Sequence, residues 1–223
     1  MDFTSLAFNP VCRMNEVSRY SSVYQETNET LAEHVTDVSV MGYLILRKMQ
    51  SFGEDIDAGK LLEKCLLHDV DEVLTGDVPR NTKYATIKVH EELNAVAEEA
   101  VRKIDDSLDK ETSIFKVWDE AKTGKEGVIL KAVDMLCVVK KCVTEIVLRG
   151  NLSFLKVVTE LEAHLNRMLN HSDEDYSVFE CKESVELLKD LVSEALNYVM
   201  SIRADFQGTI DRYHIYENVI RGE

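Results

Sequence analysis

Three interruptions of apolar helical runs hold the chemistry that this sequence offers. His34 lies among apolar neighbours one turn into the first predicted helix, His68 and Asp69 interrupt CLLHDV, and Asp134 interrupts LKAVDMLCVV. A carboxylate inside a helical core is strongly unfavourable unless a cation, a donor or a metal ion stands beside it. Lys131 and Arg149 could serve Asp134, yet an imidazole pair with two carboxylates is also a ligand set for a divalent transition metal. His68 and Asp69 are adjacent, about 100° apart around a helix, so their side chains can lean together onto one ion. His34 and Asp134 would come from two other helices. Each residue alone is also what hydrogen-bonded scaffold looks like; the four together favour the ion.

Two further acids follow. Glu72 comes four positions after His68 and three after Asp69, which places it on the same helical face one turn on. Alone it reads equally as a solvated acid beside Asp71. Asp77 follows Gly76, where a flexible turn can aim a carboxyl over a site or simply make a turn.

The elements that must position these groups are helical. The 223 residues include only 2 prolines and 9 glycines, too few for the regular turns of an all-β sandwich. Thr30 and Glu33 have capping-box spacing, which predicts a helix from Thr30 to about Lys48 with a buried stripe of Val35, Val38, Met41, Leu44 and Ile45. A second helix is expected over Ala58 to Leu74, with Leu61, Leu62, Cys65, Leu66 and Val70 inward, then a loop from Thr75 to Lys83. A third should run from Tyr84 to Ile104 on Ile87, Leu93, Val96 and Val101, and a short one should surround Trp118 before a turn at Gly124 and Gly127. Val128 to Leu148 reads as a central buried helix, followed by helices near Leu152 to Leu169 and Lys182 to Ile202.

Composition narrows the function. With 26 Lys+Arg against 41 Asp+Glu the formal charge is -15, which argues against a nucleic-acid polymer as partner. No apolar run approaches the roughly 18 residues of a membrane span, and the first residues lack the basic start of a signal peptide, so a cytoplasmic protein is expected. Five cysteines, Cys12, Cys65, Cys137, Cys142 and Cys181, contain no C-x-x-C pair and suggest reduced thiols rather than a disulfide framework or zinc knuckle.

His34, His68-Asp69 and Asp134 match the H…HD…D signature of the HD superfamily of metal-dependent phosphohydrolases. Within it, HDVDEVLTGDVPRNTKY (His68 to Tyr84) resembles the H-D-x-x-E-x-L-T-G-D-x-P-x-x-x-K-Y segment of the bacterial YfbR-type 5′-deoxynucleotidases. ETLAEHV around His34 is similar to that family's E-x-x-x-E-H-S/T segment, with Arg19 placed ahead of it, and KAVDMLCVVKKCVTEI resembles its K-x-A-D-x-L-C…K-C-x-E-E segment. The likeness runs from about Arg13 to Leu169 and continues weakly near Leu196 to Phe206; His171 to Val185 looks inserted. Tyr20 stands where the family usually has tryptophan, and Val35 replaces a small hydroxyl residue after the first histidine.

The resemblance implies an all-α HD-domain helical bundle: one phosphohydrolase domain over residues 1–223, with a core at 13–170 and a helical C-terminal extension at 171–223. It implies one divalent metal ion, such as Mn, Co, Mg or Cu, held by His34, His68, Asp69 and Asp134. Glu72 would position or deprotonate water, and Asp77 would protonate the leaving 5′-oxygen. Arg19 and Lys83 would bind the phosphate of a nucleotide, and Tyr20 would pack on the deoxyribose. The implied reaction converts a deoxynucleoside 5′-monophosphate to deoxynucleoside and phosphate, by a homodimer. Two alternatives are an HD-type deoxynucleoside triphosphate hydrolase, with Arg80 and Asn81 on further phosphates, and an HD nucleotide-binding protein without turnover.

Overall fold

The structure is a computed structural model that describes residues 7–108, 113–170 and 176–209. Among the described residues extended backbone pairs only in an isolated antiparallel bridge, Ser18 with Thr30; the remainder is helix and connection. None of these helices is long and apolar enough to cross a membrane. The chain divides into two compact units, Met1–Val133 and Asp134–Glu223.

The first unit contains a 3-10 helix at Pro10–Glu16, then α1 (Leu31–Ser51), α2 (Ala58–Leu67), α3 (Glu72–Thr75), α4 (Arg80–Lys83), α5 (Ile87–Asp105), α6 (Phe115–Asp119) and the start of α7 (Gly124–Val143). Thr30 caps α1 as expected: its hydroxyl accepts the Glu33 N–H at 3.2 Å, and the Glu33 carboxylate accepts the Thr30 N–H at 2.8 Å. These bonds satisfy donors that the first helical turn leaves open, a contribution of about 1 kcal/mol. The inward face of α1 joins the 3-10 helix and α5 in a core of Met14, Leu31, Val35, Val70, Val101 and Ile104, against which Leu67 and Trp118 pack.

The predicted stripe on α1 is displaced in part. Val35, Val38 and Ile45 are buried, with Leu46 and Met49 extending the face, whereas Leu44 is exposed. The helix expected from Ala58 to Leu74 is broken. It stops at Leu67, and the chain winds more tightly through His68–Asp71, with Val70 N–H donating to Leu67 O and Glu72 N–H to Asp69 O, before α3 resumes. Spacing of three rather than four residues takes this segment out of helical phase; Leu66, before the break, is exposed. One helical turn, α4, occupies part of the predicted loop, and α5 begins at Ile87 because Thr86 caps it through the Val89 N–H. Its buried face is Ala97, Ala100, Val101 and Ile104; Ile87 and Val96 are exposed. Gly124 and Gly127 do not form a separate turn but open α7: Gly124 has φ +68°, and Gly127 lies in the first turn.

The second unit continues α7 into a π-helical turn, Thr144–Leu148, then a 3-10 turn at Leu152–Phe154, α8 (Leu155–Asn170) and α9 (Lys182–Asp205). The predicted helix to Leu148 thus loses α geometry at Val143, where a buried polar group gathers: Glu145 accepts from Lys141 Nζ at 2.9 Å and from Asn151 Nδ2 at 2.7 Å. Helices α8 and α9 pack on each other, burying Val158, Leu161 and Leu165 on one and Leu188, Val192 and Val199 on the other. In the segment that looked inserted, Tyr176 and Phe179 are buried, while 171–175 lie outside the described residues, as do 210–223 of the expected C-terminal extension. The five cysteines are thiols, with Cys65, Cys137 and Cys142 buried.

Candidate active site

The loop before α1 returns on itself at the Ser18–Thr30 bridge. Arg19 N–H donates to Glu29 O at 2.8 Å and Leu31 N–H to Val17 O at 2.9 Å, which sets Arg19 beside the first turn of α1. The Arg19 carbonyl accepts from Gln25 Nε2 at 2.6 Å. Tyr20 adopts φ +54°, a left-handed conformation that costs a non-glycine residue about 1 kcal/mol or more. Two bonds hold it there: its N–H donates to Asp77 Oδ2 at 2.6 Å, and its carbonyl accepts from Val23 N–H at 2.9 Å. The Arg19 guanidinium lies 5.6 Å from the Tyr20 ring centre.

His34, one turn into α1, and His68, the residue that ends α2, are both buried, with ring centres 5.4 Å apart. His68 Nδ1 stands 2.9 Å from Cys65 O. A carbonyl only accepts, so Nδ1 carries the hydrogen and the neutral ring presents its Nε2 lone pair. One ligand atom each from His34, His68 and Asp134 lies within 4.8 Å of the others. Metal-ligand bonds of about 2.0–2.2 Å to nitrogen and oxygen suit such a spacing, and two imidazoles with a carboxylate fit one divalent ion. Asp69 Oδ2 lies 3.2 Å from His68 Nε2 and 3.8 Å from His34 Nε2.

Arg19 completes this group. Its Nη1 donates to Asp69 Oδ2 at 3.1 Å and stands 3.7 Å from Glu72 Oε2. Burial alone would raise the Asp69 pKa, but the neighbouring His68, the Arg19 guanidinium and His34 hold it well below the usual carboxylate range. Glu72 moves the other way. Burial first, then the negative charge of Asp69, push it well above the usual range; Asp77 and Asp71 add to the rise and Arg19 opposes it. The remaining predicted residue, Lys83, shares with Glu72 a cleft also lined by Asp71, Thr75, Leu93 and Val96.

Two acids here were not foreseen. Glu29 Oε1 lies 3.5 Å from Arg19 Nε and 3.9 Å from His34 Nδ1. Asp71 is buried, accepts the Trp118 indole N–H at 3.0 Å, and has its pKa raised chiefly by burial. A glutamate five positions ahead of His34 was the available signal for the first; the second depends on a partner 47 residues away.

The chain is similar to known proteins in fold and in sequence. The structure is similar to a HD-domain phosphohydrolase from Listeria innocua, with TM-score 0.67 and 20% identity over 92% of this chain and 99% of that one. It is also similar to a cyanophage S-2L HD phosphohydrolase, DatZ, bound to dA and one catalytic Zn2+ ion, with TM-score 0.56 and 18% identity over 88% of this chain and 96% of that one. These likenesses show the fold, an all-α HD-domain bundle. In sequence, the 5′-deoxynucleotidase YfbR of Shigella flexneri serotype 5b is 30% identical over 162 residues, 71% of this chain and 81% of the relative. With the family model for 5′-deoxynucleotidase YfbR-like proteins matching residues 7–182, the chain belongs to the YfbR-like 5′-deoxynucleotidase family.

Proposed function

We propose that this protein hydrolyses deoxynucleoside 5′-monophosphates to deoxynucleoside and phosphate. The observation that carries the reading is the convergence of His34, His68 and Asp134, with Arg19, Asp69 and the perturbed Glu72 beside them. Family membership and the dA and Zn2+ bound by the cyanophage relative add support. His34, His68, Asp69 and Asp134 hold the ion, which when bound supplies Lewis-acid polarisation of a phosphoryl oxygen. Arg19 binds the phosphate as a planar fork and Lys83 as a point charge. Glu72, made more basic by its surroundings, takes the proton of the attacking water as the new P–O bond forms. Asp77 gives a proton to the 5′-oxygen as the P–O5′ bond breaks, while its Oδ2 accepts the Tyr20 N–H.

Tyr20 selects the sugar. Its ring, beside the Arg19 guanidinium, crowds a 2′-hydroxyl. Exclusion of that kind is worth about 1–3 kcal/mol, roughly ten- to two-hundredfold in kcat/KM. The test is phosphate release from nucleoside mono-, di- and triphosphates with Mn, Co, Mg and Cu ions added separately. Metal-dependent release from dAMP and dCMP well above AMP and CMP is expected, with Tyr20→Ala bringing the ratio towards one. Equal rates for ribo and deoxy forms would remove the sugar selectivity, and triphosphate or pyrophosphate release from dNTPs would identify the triphosphate hydrolase instead.

The protein also acts, in this reading, as a cytoplasmic homodimer. Reduced thiols support the compartment. The α1 face carrying Val40, Tyr43 and Leu44, exposed at helical spacing, supports self-association. Light scattering should give twice the chain mass, falling to one chain for Leu44→Glu; a monomeric wild type would refute the dimer.

A further inference from the structure

We propose that Glu29 is a positioning residue that orients both the metal ligand His34 and the phosphate-binding Arg19. The inference rests on the roles given to those two residues above. One oxygen of Glu29, Oε1, stands 3.5 Å from Arg19 Nε and 3.9 Å from His34 Nδ1, and its side chain is only 17% exposed.

The Glu29 backbone is fixed on both sides, its carbonyl accepting the Arg19 N–H at 2.8 Å and its N–H donating to Gln25 Oε1 at 3.3 Å. The carboxylate is thus delivered to one place. A negative charge facing Nδ1 favours a hydrogen on that nitrogen and leaves the Nε2 lone pair of His34 turned towards Asp69, 3.8 Å away. His68 reaches the same tautomer by another route, through the Cys65 carbonyl. The two imidazoles are therefore matched, one set by backbone and one by a side chain. On Arg19, Glu29 faces the Nε edge while Asp69 and Glu72 face Nη1, so the guanidinium plane is held from two edges. A planar fork that is already oriented loses less freedom when it meets phosphate.

The experiment compares Glu29→Gln with Glu33→Gln, an exposed control four residues on whose carboxylate accepts the Thr30 N–H and whose glutamine keeps a capping group. Mn2+ affinity is measured by calorimetry, inorganic phosphate affinity by competitive inhibition of the Mn-saturated enzyme, and melting temperature on the metal-free protein. Glu29→Gln should weaken Mn2+ binding about ten- to hundredfold and raise both the phosphate inhibition constant and KM for dAMP, with melting little changed. Glu33→Gln should alter none of these. If Glu29→Gln fails to fold, Glu29→Asp, which keeps the charge but withdraws it, should still weaken Mn2+ binding. Wild-type affinities in the folded Glu29 variant, or equal losses in both glutamine variants, would overturn the positioning role. Failure of the underlying site is separately visible: His34→Ala would then bind Mn2+ as wild type does.

Discussion

The bond from the Tyr20 N–H to Asp77 makes one carboxylate serve two purposes, holding a left-handed residue in place and, in the proposed reaction, supplying a proton. Asparagine at this position separates them, because its amide oxygen still accepts the N–H while the side chain no longer provides an acid. Asp77→Asn should lower kcat by about 10²- to 10⁴-fold while keeping the dAMP-to-AMP preference; Asp77→Ala should lose the preference as well. Steady-state kinetics on both substrates checks this, and unaltered kcat in the asparagine variant would remove Asp77 as the acid. At this scale the sequence was most legible where polarity broke an apolar run, as at His34, His68 and Asp134. Glu29 opens the ETLAEHV match, but it drew no role because it sits in the polar stretch QETNET, where one more acid breaks no pattern. Its meaning appears only when the backbone pairs residues 19 and 29.

Among the elements, the capped start of α1 read well and helix faces less so. Thr30 and Glu33 announced α1 because a capping box is a local exchange of bonds between residues three apart. Leu44, Ile87 and Val96 misled because hydrophobicity marks a residue as apolar without saying which neighbour will cover it. The break after Leu67 was invisible for a different reason: bonds to the third residue back replace bonds to the fourth without any proline or glycine to signal the change. Gly127 shows what a glycine can mean inside a helix. A Cβ there would stand 2.3 Å from the Lys122 carbonyl carbon, so the backbone itself would have to move. Although alanine is the better helix former, Gly127→Ala should destabilise the protein by about 1–3 kcal/mol, read from the denaturant midpoint. A stabilised variant would show that the Lys122 turn yields without cost.

For the whole molecule, two prolines and nine glycines in 223 residues already spoke for an all-helical chain. The division into two units was not legible, because no linker marks it: the boundary falls between Val133 and Asp134, inside the unbroken helix α7. Loops separate exchangeable parts in many proteins, since a cut there leaves each side's hydrogen bonds intact. Here the compact units are not the exchangeable ones. A chimaera between this chain and a relative, joined at 133/134, would splice two foreign half-helices and draw Asp134 from a different parent than His34 and His68. The first junction downstream that keeps α7 and its π-helical turn whole, and leaves Asp134 with His34 and His68, lies at Gly150. Recombination within this family should therefore respect the helix that carries the last ligand, and inheritance of the site should follow α7 rather than the compact halves of the fold.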